Sequence, residues 1–377
     1  MISDQIKIPV SRPEISNEDI LAVEQEMKSL NLSGHSNSIR KFEEKLAEYL
    51  NVKEVVAVSN GTTALDLSIE ALEIEKHDLC IVPSFTIVST VSELARRGAR
   101  IKLVDSDPIS WSIDMNKTLD IIDSNVKLVL PVHIYGLSVD MNPLLEAQNK
   151  YGFKVLEDAA EALSVKYGEK LCGSFGDLAT FSFYANKLIT CGEGGAIATD
   201  NLMLSDRLRS LRNLRFSKSE RFVHDGLGYN ARLSGLSATL AMSQLSRINE
   251  LSNKKNALVK LYLEGLRNHP WLEHHVEQIA NSKNEYWVFG VLLSPDAPFN
   301  AKQLQSKLEA EGIETRRFFC PLHLQPFIRN YNFEFSKNDF KVSESLWERG
   351  LYLPLGSGIR EDEVKRVVDS LWALARS

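Results

Sequence analysis

The order of apolar and polar residues changes character twice along this chain. Residues 1 to 15 are strand-like and punctuated by Pro9 and Pro13. Ser16-Asn17-Glu18-Asp19 then opens a helix, with a capping residue and acids in its first turn. Ile20, Val23, Met27 and Leu30 carry that helix to Ser33-Gly34, and a second helix over 38–50 keeps Phe42, Leu46 and Leu50 on one face. From residue 54 short β-rich runs alternate with helical stretches. Strands are predicted at 55–59, 80–82, 100–104, 128–132 and 154–156, and helices at 63–71, 86–97 and 143–151. An apolar β-rich run, 178–184, follows. This alternation predicts an α/β fold, a mostly parallel sheet with helices on both faces and ligands at the carboxyl ends of its strands.

After helical stretches at 206–215, 237–250 and 254–266 the pattern changes again. A strand pair (286–293), a helix (301–311), a short aromatic β segment (315–319) and a terminal helix (361–376) predict a small α+β domain. The division placed on this basis is a large domain over 1–250 and a small C-terminal domain over 251–377.

Length and composition narrow the class. The 377 residues are 44% hydrophobic and 25% charged, with a formal net charge of −6. Such mild acidity argues against a nucleic-acid partner, which would leave a basic footprint. Cys80, Cys172, Cys191 and Cys320 are scattered without metal spacing, which suits a reducing compartment. No apolar run approaches a membrane span, and the N-terminus lacks the layout of a signal peptide. A cytoplasmic protein without nucleic-acid or membrane partners is expected.

Candidate chemistry lies at the predicted strand ends. Ser59-Asn60-Gly61-Thr62-Thr63 follows a strand and opens a helix, so hydroxyls and free N–H groups converge there. That is either an anion site or a capped helix without a ligand, and it lacks the lysine of a nucleoside-triphosphate loop. Asp158, in Leu156-Glu157-Asp158-Ala159-Ala160-Glu161, ends a buried strand. It either caps a helix or pairs with a protonated ring nitrogen, a pairing worth about 4 kcal/mol at about 4 Å and an effective dielectric near 20. Lys187 stands between the run 178–184 and the Gly-rich turn of Gly192, Gly194 and Gly195. It is either a surface lysine at a strand end or a desolvated amine able to form a Schiff base with an aldehyde. His133, His323, Asn230 and Arg232 are polar residues at strand ends and loops with structural and functional readings both open.

The ordered set SNGTTAL, PSFT, PVHIYG, EDAAEA, TFSFYANKLITCGEGG and GYNARLS resembles the DegT/DnrJ/EryC1/StrS family of sugar aminotransferases, over nearly the whole chain. The resemblance implies the aspartate-aminotransferase-like (type I) fold, with a large domain on a mostly parallel sheet of the seven-stranded type. It implies pyridoxal 5′-phosphate as cofactor, with the pyridoxamine form as intermediate. By motif, Lys187 matches the lysine that bonds the cofactor, and Asp158 the partner of its ring nitrogen. Glu161 matches the residue near the ring's phenolic oxygen and Ala160 the small residue packed on the ring. Gly61, Thr62, Thr63 and Ser182 match the phosphate site, and Asn230 an asparagine reaching the phosphate from the other subunit of a homodimer. Ile87 stands where the family usually stacks an aromatic ring, a role that Phe85 could take from a shifted position. Arg316 and His323 are substrate candidates, and Arg215, Arg221 and Arg316 either hold a pyrophosphate or, as the default reading, lie on the solvent face.

EDAAEA and NKLITCGEGG are most similar to the perosamine-forming group of that family, although Asn31 and Cys320 stand near or at positions where that group tends to carry tryptophan and histidine. The implied reaction moves an amino group from L-glutamate, released as 2-oxoglutarate, to a nucleotide-linked 4-keto-6-deoxy sugar for O-antigen or related amino-sugar synthesis. A 3-keto sugar is the alternative substrate. Family dehydratases carry histidine where Lys187 stands, which favours transamination. A non-catalytic regulator and a nicotinamide dehydrogenase fit less well, the latter because no GxGxxG follows the first strand.

Overall fold

A computed structural model describes residues 7–376 except Arg221, Ala280 and Lys337. Seven strands of the main sheet come from the first two hundred residues: β1 (Glu54–Val58), β2 (Leu79–Pro83), β3 (Arg100–Val104), β4 (Val126–Val129), β5 (Lys154–Asp158), β6 (Leu178–Ser182) and β7 (Gly195–Thr199). Later come β8 (Leu272–His274), β9 (Phe289–Leu293), β10 (Arg316–Arg317), β11 (Phe333–Glu334) and β12 (Gly350–Leu353). The main sheet runs β1-β7-β6-β5-β4-β2-β3-β11. It has eight strands where the seven-stranded type was expected, because the two-residue β11 adds to the edge, pairing Phe333 with Ile101. All its pairings are parallel except the two made by β7. The carboxyl ends of β1, β2, β4, β5 and β6 therefore share one edge.

Burial on both faces explains the apolar strand sequences. One face packs Val56, Val82, Leu128 and Leu156 under Leu67 and Val91. The other packs Ala57, Phe181 and Ala198 under Phe42, Leu46 and Leu245. Buried Glu43, on the helix Asn37–Leu50, accepts the Ala57 N–H and pairs with Arg209 and Arg212, which fixes β1 between two helices.

A second sheet, β8-β9-β12-β10, is antiparallel throughout. Its Phe289 and Leu351 share a core with Tyr262, Leu304 and Val367. In place of the expected strand in the described part of residues 1–15, there is a single bridge from Ile8 to Ile313. No helix among the described residues is long and apolar enough to cross a membrane.

Candidate active site

The shared strand edge walls a cavity of about 590 Å³. One end is built by helix N-termini. Asn60 Oδ1 accepts the Thr63 N–H (2.8 Å) and the Asn60 carbonyl accepts that of Ala64 (3.0 Å). The amides of Gly61 and Thr62 are left without an acceptor among the described residues, as first-turn donors are unless something caps them. The Thr62 hydroxyl lies 2.8 Å from that of Ser89, which opens the helix Ser89–Arg96. Ser182, at the end of β6, closes the same corner. A Cβ on Gly61 would come within 3.0 Å of Ser182 Cβ, and one on Gly195 within 2.4 Å of the Asn60 carbonyl oxygen. Both positions need bare backbone for strand and turn to approach this closely. Free amides, hydroxyls and two positive helix ends together favour a phosphate.

Asp158 stands at the end of β5, buried. Its carboxylate accepts the Thr90 hydroxyl (3.2 Å) and the Ala160 N–H (3.2 Å), yet burial prevails and raises its pKa. Glu161 accepts the Tyr135 N–H at 2.8 Å, and burial pushes it up to about 7 against the attraction of Lys187. Lys187 enters from the turn after β6. It is accessible through the cavity and otherwise enclosed by protein, and burial lowers its pKa while Glu161 and Asp158 oppose that shift. Its Nζ lies 3.8 Å above the centroid of the Trp287 ring. Asn186 Oδ1, on the same wall, is buried without a hydrogen-bond partner among the described residues.

The cavity thus gathers Gly61, Thr62, Thr63, Ile87, Asp158, Ala160, Glu161, Ser182, Lys187 and Arg316. Arg316 projects from the second sheet and is held by Glu314 at 3.4 Å. Other candidates lie elsewhere. Asn230 is exposed, bridged through its backbone to Asn213, and does not line the cavity of its own chain. His323 sits outside the lining, its ring between Ser84 (2.7 Å) and Glu344 (3.1 Å) and stacked on Phe340. His133 is a buried strut: Nδ1 accepts the Val139 N–H, which leaves the proton on Nε2 to be donated to Glu157 at 3.0 Å. Arg215 does not line the cavity, and Arg221 lies outside the described residues. Phe85 is buried against Tyr135, Phe318 and Phe319, so no ring from that position reaches the cavity.

Several lining residues escaped the sequence reading, among them Thr86, Ser89, Tyr184, Trp287, Phe319 and Tyr352. The hydroxyls of Thr86 and Ser89 were visible as a Thr/Ser run after a strand. They fell inside a helix predicted from 86, whereas the helix starts at Ser89 and leaves 84–88 as irregular backbone along the cavity wall. Trp287 and Tyr352 carry no local signal, because only the approach of the second sheet brings them in.

Comparison with known proteins identifies the family and the fold. The profile of the DegT/DnrJ/EryC1/StrS aminotransferase family matches residues 13–372. The chain is 33% identical to GDP-perosamine synthase of Caulobacter vibrioides, over 98% of this chain and 99% of that one. It is 32% identical to dTDP-3-amino-3,6-dideoxy-alpha-D-galactopyranose transaminase of Aneurinibacillus thermoaerophilus, over 88% of each. Among solved structures, E. coli GDP-4-keto-6-deoxy-D-mannose-3-dehydratase with bound hydrated PLP superimposes with a TM-score of 0.89 at 22% identity, covering 97% of this chain and 99% of that one.

Proposed function

We propose that this chain, which belongs to the DegT/DnrJ/EryC1/StrS aminotransferase family, moves an amino group from L-glutamate to a nucleotide-linked 4-keto-6-deoxy sugar. The enzyme is a pyridoxal-phosphate-dependent transaminase. The observation that carries the reading is Lys187, an enclosed amine of lowered pKa placed between a phosphate-binding corner and a buried carboxylate.

The residues fit the cofactor along its whole length. The amides of Gly61 and Thr62, with the hydroxyls of Thr62, Thr63 and Ser182, would hold its phosphate. Asp158 would hold the ring nitrogen in its cationic form, since a buried carboxylate whose charge is disfavoured gains most from a cation. Ala160 would leave room for a flat ring, and Glu161 would lie beside it. When bound, the group supplies an aldehyde that takes up the amino group and a ring that absorbs the electrons of bond breaking. Lys187 Nζ, whose deprotonation burial makes easier, would take the proton from the amino-bearing carbon of the donor and deliver it within the same half-reaction to the cofactor carbon that keeps the amino group, and the second half would run that shift in reverse.

Likeness to the Caulobacter perosamine synthase supports a GDP-linked 4-keto sugar and so a 4-amino product of O-antigen type. Likeness to the Aneurinibacillus transaminase keeps a 3-keto sugar as the second reading. Lysine at 187, a base able to regenerate the resting enzyme, favours amination over the dehydration named for the E. coli structure. Arg316, at the open side of the cavity, is suited to the substrate's anionic groups, and Asn230 of a second copy of the chain to the cofactor phosphate.

The test is a panel of nucleotide 4-keto and 3-keto sugars with glutamate, the products identified by mass. A GDP-linked 4-amino sugar is expected, and no amino sugar from any member would overturn the reading. Borohydride should fix pyridoxal phosphate to the peptide containing Lys187, and Lys187→Ala should lose both the adduct and turnover, the latter by a factor on the order of 10⁴ or more. Wild-type turnover by that variant would be equally fatal.

A further inference from the structure

Trp287 is held in place by the very segment it faces. Its indole N–H donates to the carbonyl of Asn186 at 3.2 Å, so the ring is tied to the residue preceding Lys187. Its backbone N–H donates to the Tyr135 carbonyl (3.1 Å), while the Tyr135 N–H donates to Glu161 (2.8 Å). Ring, lysine and carboxylate thus share one short network. Lys187 Nζ lies over the ring face at 3.8 Å, well within the roughly 6 Å over which an aromatic quadrupole attracts a cation.

The charged and titratable groups around Lys187 are Asp158 and Glu161 on one side, and Glu193, Tyr184, Arg316 and Tyr352 around the rest of the cavity. Lys255 and Glu285 lie behind, on a small adjoining cavity that also touches Lys187 and Trp287. Against either carboxylate the ammonium would form an ion pair, and releasing the amine would mean breaking it. An indole face attracts the ammonium but accepts no proton, so it can hold the amine and let it go at little cost.

Building on the transaminase reading, we propose that the indole face of Trp287 is the resting place of the Lys187 amine whenever that amine is not bonded, which makes Trp287 a positioning residue for its proton transfers. The ring keeps Nζ close to its working position, and it offsets in part the loss of charge that burial imposes.

The test uses cofactor-free protein. The pH dependence of Lys187 acylation by a limiting amine-reactive reagent, read by peptide mass, gives its apparent pKa in wild type, Trp287→Phe and Trp287→Leu. Both variants lose the hydrogen bond to Asn186, so the difference between them isolates the ring face. The apparent pKa should fall by about one unit in the Leu variant and by less in the Phe variant, because a cation over an aromatic face favours the charged form. Equal shifts in the two variants, or none in either, would overturn the contact. In the loaded enzyme the Leu variant should lose kcat about tenfold with partial rescue in the Phe variant and little change in the KM for glutamate. A rise in KM with kcat intact would mean that the ring merely lines the substrate cavity. The titration needs no cofactor, and cofactor trapping at Lys187 judges the transaminase reading separately.

Discussion

Ile87 stands at the mouth of the cavity, 48% exposed, at the position where the family resemblance led us to expect an aromatic ring. With Phe85 turned into the core, the proposed cofactor would be gripped through its phosphate corner, Asp158 and the bond to Lys187, with an aliphatic surface on its open face. Ile87→Tyr should therefore slow loss of pyridoxal phosphate on dialysis by about three- to tenfold, the scale of one aromatic contact of 0.5–1.5 kcal/mol. Dialysis against buffer while following bound cofactor by absorbance checks this, and unchanged loss would mean the ring is never offered that face. The residues proposed to bear the chemistry could be singled out because their signal is local: Lys187, Asp158 and the Asn60–Thr63 corner each sit at the end of an apolar run, and one cavity gathers them. Trp287 could not, since it reads as part of the strand pair expected over 286–293 and its contact with Lys187 spans a hundred residues.

The helix Ile248–Gly265 carries an unusual burden in Lys255, which is buried with Glu285 near it. Burial pushes its pKa down to about 8. The unfolded chain therefore binds more protons than the folded one between about pH 8 and the ordinary lysine value near 10.4, so stability rises with pH across that window and the penalty is fully present below it. A depression of this size corresponds to about 3 kcal/mol at most. Lys255→Met, which keeps the length of the side chain, should raise the thermal midpoint by a few degrees at pH 7 and lose that advantage toward pH 10. Glu285 keeps its hydrogen bond from Asn256 in that variant. A midpoint that falls at pH 7 would show that the ammonium is paired after all. Periodicity finds helical stretches better than it finds their ends or short strands: 237–250 and 254–266 were expected to be helical, but the break falls at Arg247, so residues 248–265 form one helix. β10 falls inside the β segment expected over 315–319, but strand β7 hides behind a Gly-rich turn, β11 has two residues, and β8 and β12 exist only because β9 lies between them. Such strands are defined by partners far along the chain, which no local period records.

Apolar side chains on the outside of the molecule cluster by sequence. Leu227 is 94% and Leu30 83% exposed, with Ile20, Leu21, Met27 and Val223 also on the surface. The turn after the first helix packs against the segment that follows Asn230: the Gly235 N–H donates to the Leu32 carbonyl, and Gly34 lies against Arg232. Exposed apolar side chains of this kind suit the proposal that a second copy of the chain covers this surface. Asn230, exposed and away from its own cavity, is the residue proposed to serve a neighbour's. If two copies share sites in this way, Lys187→Ala and Asn230→Ala damage opposite contributions. Each variant alone should be inactive or nearly so. Mixed and allowed to exchange subunits, they form heterodimers with one fully wild-type site and one doubly damaged site, so activity should return to roughly a quarter of wild type. Subunit exchange can be followed independently with differently tagged chains. Exchange without recovery of activity would show that each chain works with its own residues alone, and that Asn230 has no part in the site.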